Sequence, residues 1–188
     1  MRIMNLIAAG ALLAAATHAQ TIDQRRENQQ DRVAQGISSG QLTPGETARI
    51  EHQEAGVNRQ IHQDRVANGG TLTPSERQQV SREQNGMSSE IYRDKHNASH
   101  TNFRGEVGAR QAAQQQRIAQ GVRGGSLTAG ETAHLERKEA GVNREVRADR
   151  AANGGTLTPQ EHRQVNRQQN RLSGQIYRDK HNAARQPK

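Results

Sequence analysis

The chain of 188 residues contains no cysteine, no tryptophan, two tyrosines and one phenylalanine. Without cysteine no disulfide can stabilise the fold, and zinc–thiolate sites, thiol catalysis and haem attachment through cysteine are excluded. Hydrophobic residues make up 30% of the chain and aromatic residues 2%, so a large buried core is not available. The composition lies near the boundary between globular and disordered proteins.

The strongly apolar residues are concentrated at the N-terminus, in MRIMNLIAAGALLAAATHAQ. One arginine precedes an apolar run and a group of small residues, which is the layout of a secretory signal peptide. An uncleaved anchor is the weaker interpretation, because a membrane span needs about twenty apolar residues and this run has roughly ten. We therefore assign residues 1–19 to a signal peptide cut near Ala19, and predict a periplasmic or secreted protein with no membrane span after its removal.

Arginine dominates the charged residues. The formal net charge is +8, and only four of the 27 basic residues are lysine. Planar guanidinium groups favour bidentate contacts to carboxylate or phosphate, so the expected partner is a protein or a polyanion. Aromatic residues are too few for a base-stacking platform, and acidic residues are interleaved with the arginines, which argues against nucleic acid as the partner.

The chain contains one sequence unit twice. Residues 32–98 and 117–183 align without a gap, and about two thirds of the aligned residues are identical. Both copies end in IYRDKHNA. The predicted organisation is a first helical unit over residues 20–98, a linker over 99–108, a second helical unit over 109–183 and a tail over 184–188.

A phrase of the form LT-x-x-E occurs four times and predicts the start of a helix each time. Threonine at the N-cap accepts from the third amide of the helix, and glutamate accepts from the cap amide, which makes a capping box. Proline after the threonine suits the first helical position, and glycines before it suit the end of the preceding helix. The predicted caps are Thr43, Glu46, Thr73, Glu76, Thr128, Glu131, Thr158 and Glu161.

Each copy therefore has three predicted helices, the first ending near Gly36 or Gly121. On the two longer helices apolar residues recur at steps of seven and four, as at Ile50, Val57 and Ile61, and form one thin stripe. We predict an all-α fold of two tandem copies of a slim antiparallel helical hairpin or three-helix unit with a marginal core. Whether a second unit or a second chain in a homo-oligomer covers the stripes is left open.

A glycine lies in the middle of the second predicted helix of each copy, at Gly56 and Gly141. Glycine in a helix interior costs about 1 kcal/mol relative to alanine. It is either a tolerated defect or the mark of a close helix crossing where a side chain would clash. We favour the close crossing.

Histidine is the remaining candidate metal ligand. His96 and His100 have the i,i+4 spacing that places two imidazoles on one helix face, and His181 corresponds to His96 in the second copy. The other histidines of the two copies align with arginines, which indicates solvated basic positions. We predict no metal site and no cofactor, with His96, His100 and His181 as the weaker metal-binding alternative.

The IYRDKHNA segments have a structural interpretation and a functional one. Lysine and histidine suit the negative end of a helix dipole, and asparagine can end the helix. The same segments could form a small anion-binding cluster, although the structural interpretation is favoured. The members of that cluster would be Arg93, Lys95, His96, Arg178, Lys180 and His181. No catalytic arrangement stands out, so we predict that the protein is not an enzyme.

The helix starts at residues 42–46, 72–76, 127–131 and 157–161, together with the arginine-rich helical body, resemble the LTxxQ-motif periplasmic stress proteins of Gram-negative bacteria, of the Spy and CpxP type. Glutamate stands here where that motif has glutamine. The chain is also similar to exported bacterial helical repeat proteins of unknown function. These resemblances imply a non-enzymatic protein that binds proteins or polyanions, with an envelope-stress or chaperone-like role. The alternative is a histidine-based metal-binding or metal-resistance protein.

Replacing Thr73 and Thr158 by alanine tests whether the repeated phrase is structural. Each replacement removes a cap worth about 1 kcal/mol, so the double variant is expected to lose helicity and to melt about 4–8 °C lower, measured by circular dichroism. Partner binding should fall only as far as folding falls, and a stabilising osmolyte should restore both. A fully helical double variant with an unchanged melt and abolished partner binding would overturn this interpretation.

Overall fold

The computed structural model describes residues 21–186, so the predicted signal peptide and the cut near Ala19 lie outside the described residues. This part of the chain forms six α-helices and no strand, which confirms the predicted all-α class. None of the six is both long and apolar enough to span a membrane. The helices are α1 (Ile22–Ser39), α2 (Pro44–Ala67), α3 (Pro74–Lys95), α4 (Gly105–Arg123), α5 (Ala129–Ala152) and α6 (Pro159–His181).

Capping boxes start five of these helices. At α2, α3, α5 and α6 the threonine hydroxyl accepts from the amide of the glutamate three residues later, and that glutamate accepts from the threonine amide. The backbone amide of Thr73, aided by its hydroxyl, lowers the pKa of Glu76 in this way. Thr21 caps α1 with Gln24, in a segment that lacks the LT-x-x-E phrase. Helix α4 has no side-chain cap.

The first helix of each copy continues past the glycine at which it was predicted to end. Helix α1 ends at Ser39, and Gly36 lies within it, with its carbonyl accepting from the amide of Leu42 at 3.0 Å. A β-carbon at position 36 would lie 2.5 Å from Cγ of Leu42. Gly121 and Leu127 have the same relation in the second copy. These glycines therefore make room for the leucine of the following loop.

The two copies pack on each other mainly through two pairs of equivalent helices. Helix α2 packs most extensively against α5, and α1 packs against α4. Within the copies, α3 lies against α1 and α2, and α6 lies against α4 and α5. The second unit thus covers part of the apolar stripe of α2: Ile50 lies in the cluster that the copies share, whereas Val57 and Ile61 lie in a cluster formed by the first copy alone. The shared apolar cluster consists of Val33, Ala34, Ile37, Leu42, Ile50, Ile91, Ile118, Ala119, Val122, Leu127, Leu135, Leu172 and Ile176.

Glutamine side chains extend this core. The Nε2 of Gln29 donates to the carbonyl of Gln84 at 2.6 Å, and the Nε2 of Gln84 donates to the carbonyl of Ile22 at 2.9 Å, which joins α1 to α3. Gln114 and Gln169 make the corresponding bonds between α4 and α6. All four glutamines are buried. Buried glutamines that hydrogen-bond to the backbone thus hold helices together at positions where other helical bundles have apolar side chains.

Four glutamates of α2 and α5 are also buried. Glu51, Glu136 and Glu139 are 0% exposed and Glu54 is 2% exposed. Burial raises the pKa of all four carboxyl groups, to about 7 for Glu54 and about 8 for Glu139. The charges of Glu54 and Glu136 raise the pKa of Glu51 further. Because Glu51 lies on α2 and Glu136 on α5, two carboxyl groups oppose each other across the junction of the copies.

Each buried glutamate also faces at least one group that stabilises its charged form and so lowers its pKa. These groups act less strongly than burial does. The amide of Gln115 donates to Glu136 at 3.0 Å, two further amides lie beside the carboxyl groups of Glu51 and Glu54, and two guanidinium groups act through their charge. Gln30 faces Glu51, Arg26 and Asn58 face Glu54, Gln115 faces Glu136, and Arg117 faces Glu139.

The close helix crossing inferred at Gly56 and Gly141 is wrong. A β-carbon at either position would meet no atom within 4 Å. The side of the helix that would carry the side chain is open, so no packing requires glycine there. The tolerated defect, the less favoured interpretation of the sequence, is the one that fits.

Two glycines of the first copy should therefore respond to alanine in opposite directions. Gly56→Ala is expected to raise the free energy of unfolding by roughly 1 kcal/mol, because alanine favours the helix and the site is open. Gly36→Ala is expected to lower it, because the new β-carbon displaces Leu42 from the core. Thermal denaturation followed by circular dichroism measures both. Shifts of the same sign would contradict the packing described here.

The buried glutamates predict that the protein is more stable in mild acid than in mild base. Their folded-state pKa values lie above the ordinary value of 4.5, so the folded chain binds more protons than the unfolded chain between about pH 4.5 and pH 8. Stability from these groups is fully present below pH 4.5 and is lost as the pH rises through the folded values. The melting temperature should be several degrees higher at pH 5 than at pH 8.

A double variant separates the buried carboxyl groups from other titrating groups. Glu51→Gln with Glu136→Gln should raise the melting temperature at pH 8 more than at pH 5, which flattens the pH dependence. Glu27→Gln, at an exposed position of α1, is the control and should leave the pH dependence unchanged. A parent protein that melts equally high or higher at pH 8 would refute the prediction.

Candidate anion-binding cleft

A cleft of about 700 Å³ lies beside α5 and is lined by arginine. Helices α4 and α5 of the second copy form one side, and the linker with the start of α2 forms the other. Arg104, Arg144, Arg147 and Arg150 line it, and no carboxylate within residues 21–186 does. The first three of these arginines are exposed and Arg150 is half-buried. The cleft therefore concentrates positive charge.

Helix α5 positions three of these arginines. Arg144, Arg147 and Arg150 are spaced by three residues, so each Cα is about 4.5 Å further along the helix axis and the row spans about 9 Å. Arg104 comes from the N-cap of α4. The ion pairs and side-chain hydrogen bonds formed among the described residues involve none of these four guanidinium groups.

At the corresponding place in the first copy, two arginines share one carboxylate. Asp23 accepts from Arg26 at 2.9 Å and from Arg65 at 3.1 Å. Arg26 is 1% exposed and also donates to Asn58 at 3.4 Å. One carboxylate thus pairs with two arginines, and the buried Arg26 side chain occupies the space between α1 and α2.

Two substitutions between the copies open the cleft. The glutamine bonds of α1 and α4 are equivalent, so position 108 corresponds to 23 and position 111 to 26. Gly108 stands where the first copy has Asp23, and Gln111 stands where it has Arg26. Arg150, the counterpart of Arg65, therefore has no carboxylate to pair with here.

Gln111 carries a hydrogen-bond donor that no group in the described part of the chain accepts. Its side chain is 3% exposed and lines the cleft, and its Nε2 is without a partner there. An unsatisfied buried donor costs about 1–3 kcal/mol. A ligand oxygen in the cleft would satisfy it.

The linker that forms the other side of the cleft is held in place. The amide of Thr101 donates to the carbonyl of Gly40 at 3.0 Å, and the ring of Phe103 packs against that turn, where Gly40 has φ 72°. A β-carbon at Gly108 would collide with the backbone of Phe103. An aspartate equivalent to Asp23 consequently cannot occupy position 108 while the linker lies here.

The anion-binding cluster predicted from IYRDKHNA lies elsewhere. Its six members lie at the ends of α3 and α6, and none of them lines the arginine cleft. The Nδ1 of His96 donates to the carbonyl of Tyr92 at 2.7 Å and the imidazole stacks on the tyrosine ring, with 4.2 Å between centroids. His181 and Tyr177 repeat this arrangement. Burial and the charge of Arg32 lower the pKa of Lys95.

The histidine pair expected at His96 and His100 does not share a helix face. Helix α3 ends at Lys95, and the Nδ2 of Asn97 then bonds the carboxylate of Glu46 at 2.7 Å. His100 lines the arginine cleft instead. Among residues 21–186 no three histidine, aspartate or glutamate side chains come together in a way that could hold a metal ion.

Sequence reasoning missed the residues of the cleft. It singled out what the copies share, such as IYRDKHNA, whereas the cleft arises where they differ. The available signal was the pair of substitutions at positions 108 and 111, together with arginine at position 147 where the first copy has His62.

Comparison with protein-family models, with curated proteins and with solved structures finds no match to this chain. The resemblance to LTxxQ-motif and exported repeat proteins therefore stays a prediction from short motifs. What the protein binds has to be inferred from the chemistry of the cleft.

Proposed function

We propose that the protein is a non-enzymatic exported helical protein that binds anionic partners, either polyanions or acidic protein segments, at the arginine cleft. The observation that supports this most is the group of four arginines around one cleft with no carboxylate partner among the described residues. Unneutralised cations in a concave site attract anions from solution and bind them with charge-assisted hydrogen bonds.

The contrast with other arginines of the chain strengthens the proposal. Arg49 on α2 contacts both Glu90 and Asp94 of α3 at 2.6 Å, and these carboxylates raise its pKa. Arg26 and Arg65 share Asp23. These three arginines have carboxylate partners, whereas the arginines of the cleft have none among the described residues and are available to a partner.

An envelope-stress or chaperone-like role would act through charge in this protein. Few large apolar side chains are exposed within residues 21–186, and they are Val66, Tyr92 and Tyr177. Capture of unfolded chains through apolar surface needs a contiguous patch of some hundreds of square ångströms. Three separate side chains favour recognition of anionic groups instead.

Polymer binding tests the proposal. The protein is titrated into fluorescently labelled long-chain polyphosphate and, separately, labelled poly-L-glutamate, and anisotropy is followed at increasing salt. Binding of at least one polymer is expected, with an affinity that falls steeply with salt because bound counterions are released. Arg144→Ala with Arg147→Ala should weaken it by about tenfold or more.

The matched control removes the same charge elsewhere. Arg59 and Arg82 are exposed on α2 and α3 and line no part of the cleft, so Arg59→Ala with Arg82→Ala should weaken binding far less. Absence of salt-dependent binding to both polymers would refute the proposed function. Equal losses in the two double variants would refute the cleft as its site.

A further inference from the structure

We propose that the arginine cleft is a phosphate site, which binds a ligand that carries two or more clustered phosphate groups, with Gln111 as a neutral donor to one phosphate oxygen. This proposal rests on the proposed function, namely that the cleft binds anions, and it specifies the chemical class of the anion. Carboxylates are then expected to bind more weakly than phosphates of similar total charge, so an acidic peptide is not the ligand.

The arrangement of the arginines fits a phosphate better than a carboxylate. A guanidinium group presents a planar fork that binds two oxygens at once. Guanidinium groups line the cleft from two helices: three belong to the arginines of α5, and one belongs to Arg104 at the start of α4. A tetrahedral phosphate presents oxygens in several directions and can accept from both sides, whereas a carboxylate has two oxygens in one plane. Successive arginines of α5 are about 4.5 Å apart along the helix axis, so a ligand that contacts all three needs more than one phosphate group.

The neutral donors of the cleft point to the same chemistry. Besides the unpartnered amide of Gln111, the linker brings Ser99, Thr101 and Asn102 to the wall of the cleft. These side chains add hydrogen-bond donors without adding charge. An anion with many acceptor oxygens uses such donors, and a single carboxylate leaves most of them unmatched.

The start of α2 adds a further contribution. Thr43 and Gly45, at the N-terminus of the 24-residue helix α2, line the cleft. Because the N-terminus is the positive end of a helix dipole, this end of α2 lies at the wall of the cleft. The backbone amide of Thr43 donates to the carboxylate of Glu46 at 2.8 Å, and Pro44 has no backbone N–H to donate. The amide of Gly45 is the first that the capping box leaves to a ligand.

The cleft is large enough for more than one phosphate group. Its volume of about 700 Å³ lies within the range of small-molecule sites, about 300–1,000 Å³. It is also open to solvent on the side of the exposed arginines. Clustered phosphates from a free oligophosphate and from phosphorylated lipid headgroups share the chemistry that the cleft would recognise.

Calorimetry with tripolyphosphate and citrate tests the assignment. Tripolyphosphate is expected to bind saturably at one site, and citrate at least about tenfold more weakly. Arg144→Ala with Arg147→Ala should weaken tripolyphosphate binding by about tenfold or more, while Arg59→Ala with Arg82→Ala leaves it within about twofold. Gln111→Leu keeps the charge and nearly the volume, and should weaken it several-fold without lowering the melting temperature, because it removes an unsatisfied buried donor.

Sedimentation with vesicles identifies the source of the phosphates. If the protein sediments with phosphatidic-acid vesicles and tripolyphosphate releases it, the ligand is a lipid headgroup; if it binds tripolyphosphate but not the vesicles, the ligand is a free oligophosphate. Citrate that binds as tightly as tripolyphosphate, or parent-like affinity in both the double arginine variant and Gln111→Leu, overturns the assignment. Polymer binding that persists in those cases leaves the proposed function standing, and loss of all polymer binding refutes both.

Discussion

The packing of α2 against α5 is the contact on which the rest of the structure depends. Each copy has few apolar residues and forms only a small apolar cluster of its own, and the largest cluster is built from residues of both copies. The helices are long but the stripes are thin, so burial extends beyond the apolar residues to glutamine and glutamate. The amide nitrogens of these glutamines donate to backbone carbonyls, whereas the carboxyl groups are accommodated by taking up protons. Composition thus leads directly to an acid-favoured junction.

The helices could be predicted from the sequence because their signals are local. A capping threonine and glutamate fix a helix start within four residues, and four such starts were recognised. The polar interior was not predicted, although a signal exists: Glu54 completes the 4-3-4 spacing of the α2 stripe between Ile50 and Val57, and Gln84 does the same on α3. In the sequence alone, polar residues at those positions look like interruptions of the apolar stripe. Whether they can be buried depends on partners distant in the chain, which here lie on α1.

The cleft shows why a candidate functional site was harder to predict than the fold. Its arginines look like any solvated basic residue until the partners of their counterparts are known. Asp23 is 42 residues from Arg65 in the chain, and only the fold shows that this carboxylate serves both Arg65 and Arg26. Once that contact is known, the glycine at position 108 explains both the missing charge and the room for the linker.

The pairing of α1 with α4 and of α2 with α5, which are equivalent helices of the two copies, has a consequence for how such a chain can arise. When like elements meet, the surface is self-complementary, as in a symmetric dimer of single-copy chains. Joining the two partners through residues 96–104 turns a bimolecular association into an intramolecular one, with an effective concentration in the millimolar range for a short tether. In a symmetric dimer of identical chains every substitution occurs in both subunits, whereas the two copies in a single chain can differ. One half can keep its ion pairs for stability while the other gives them up to a ligand.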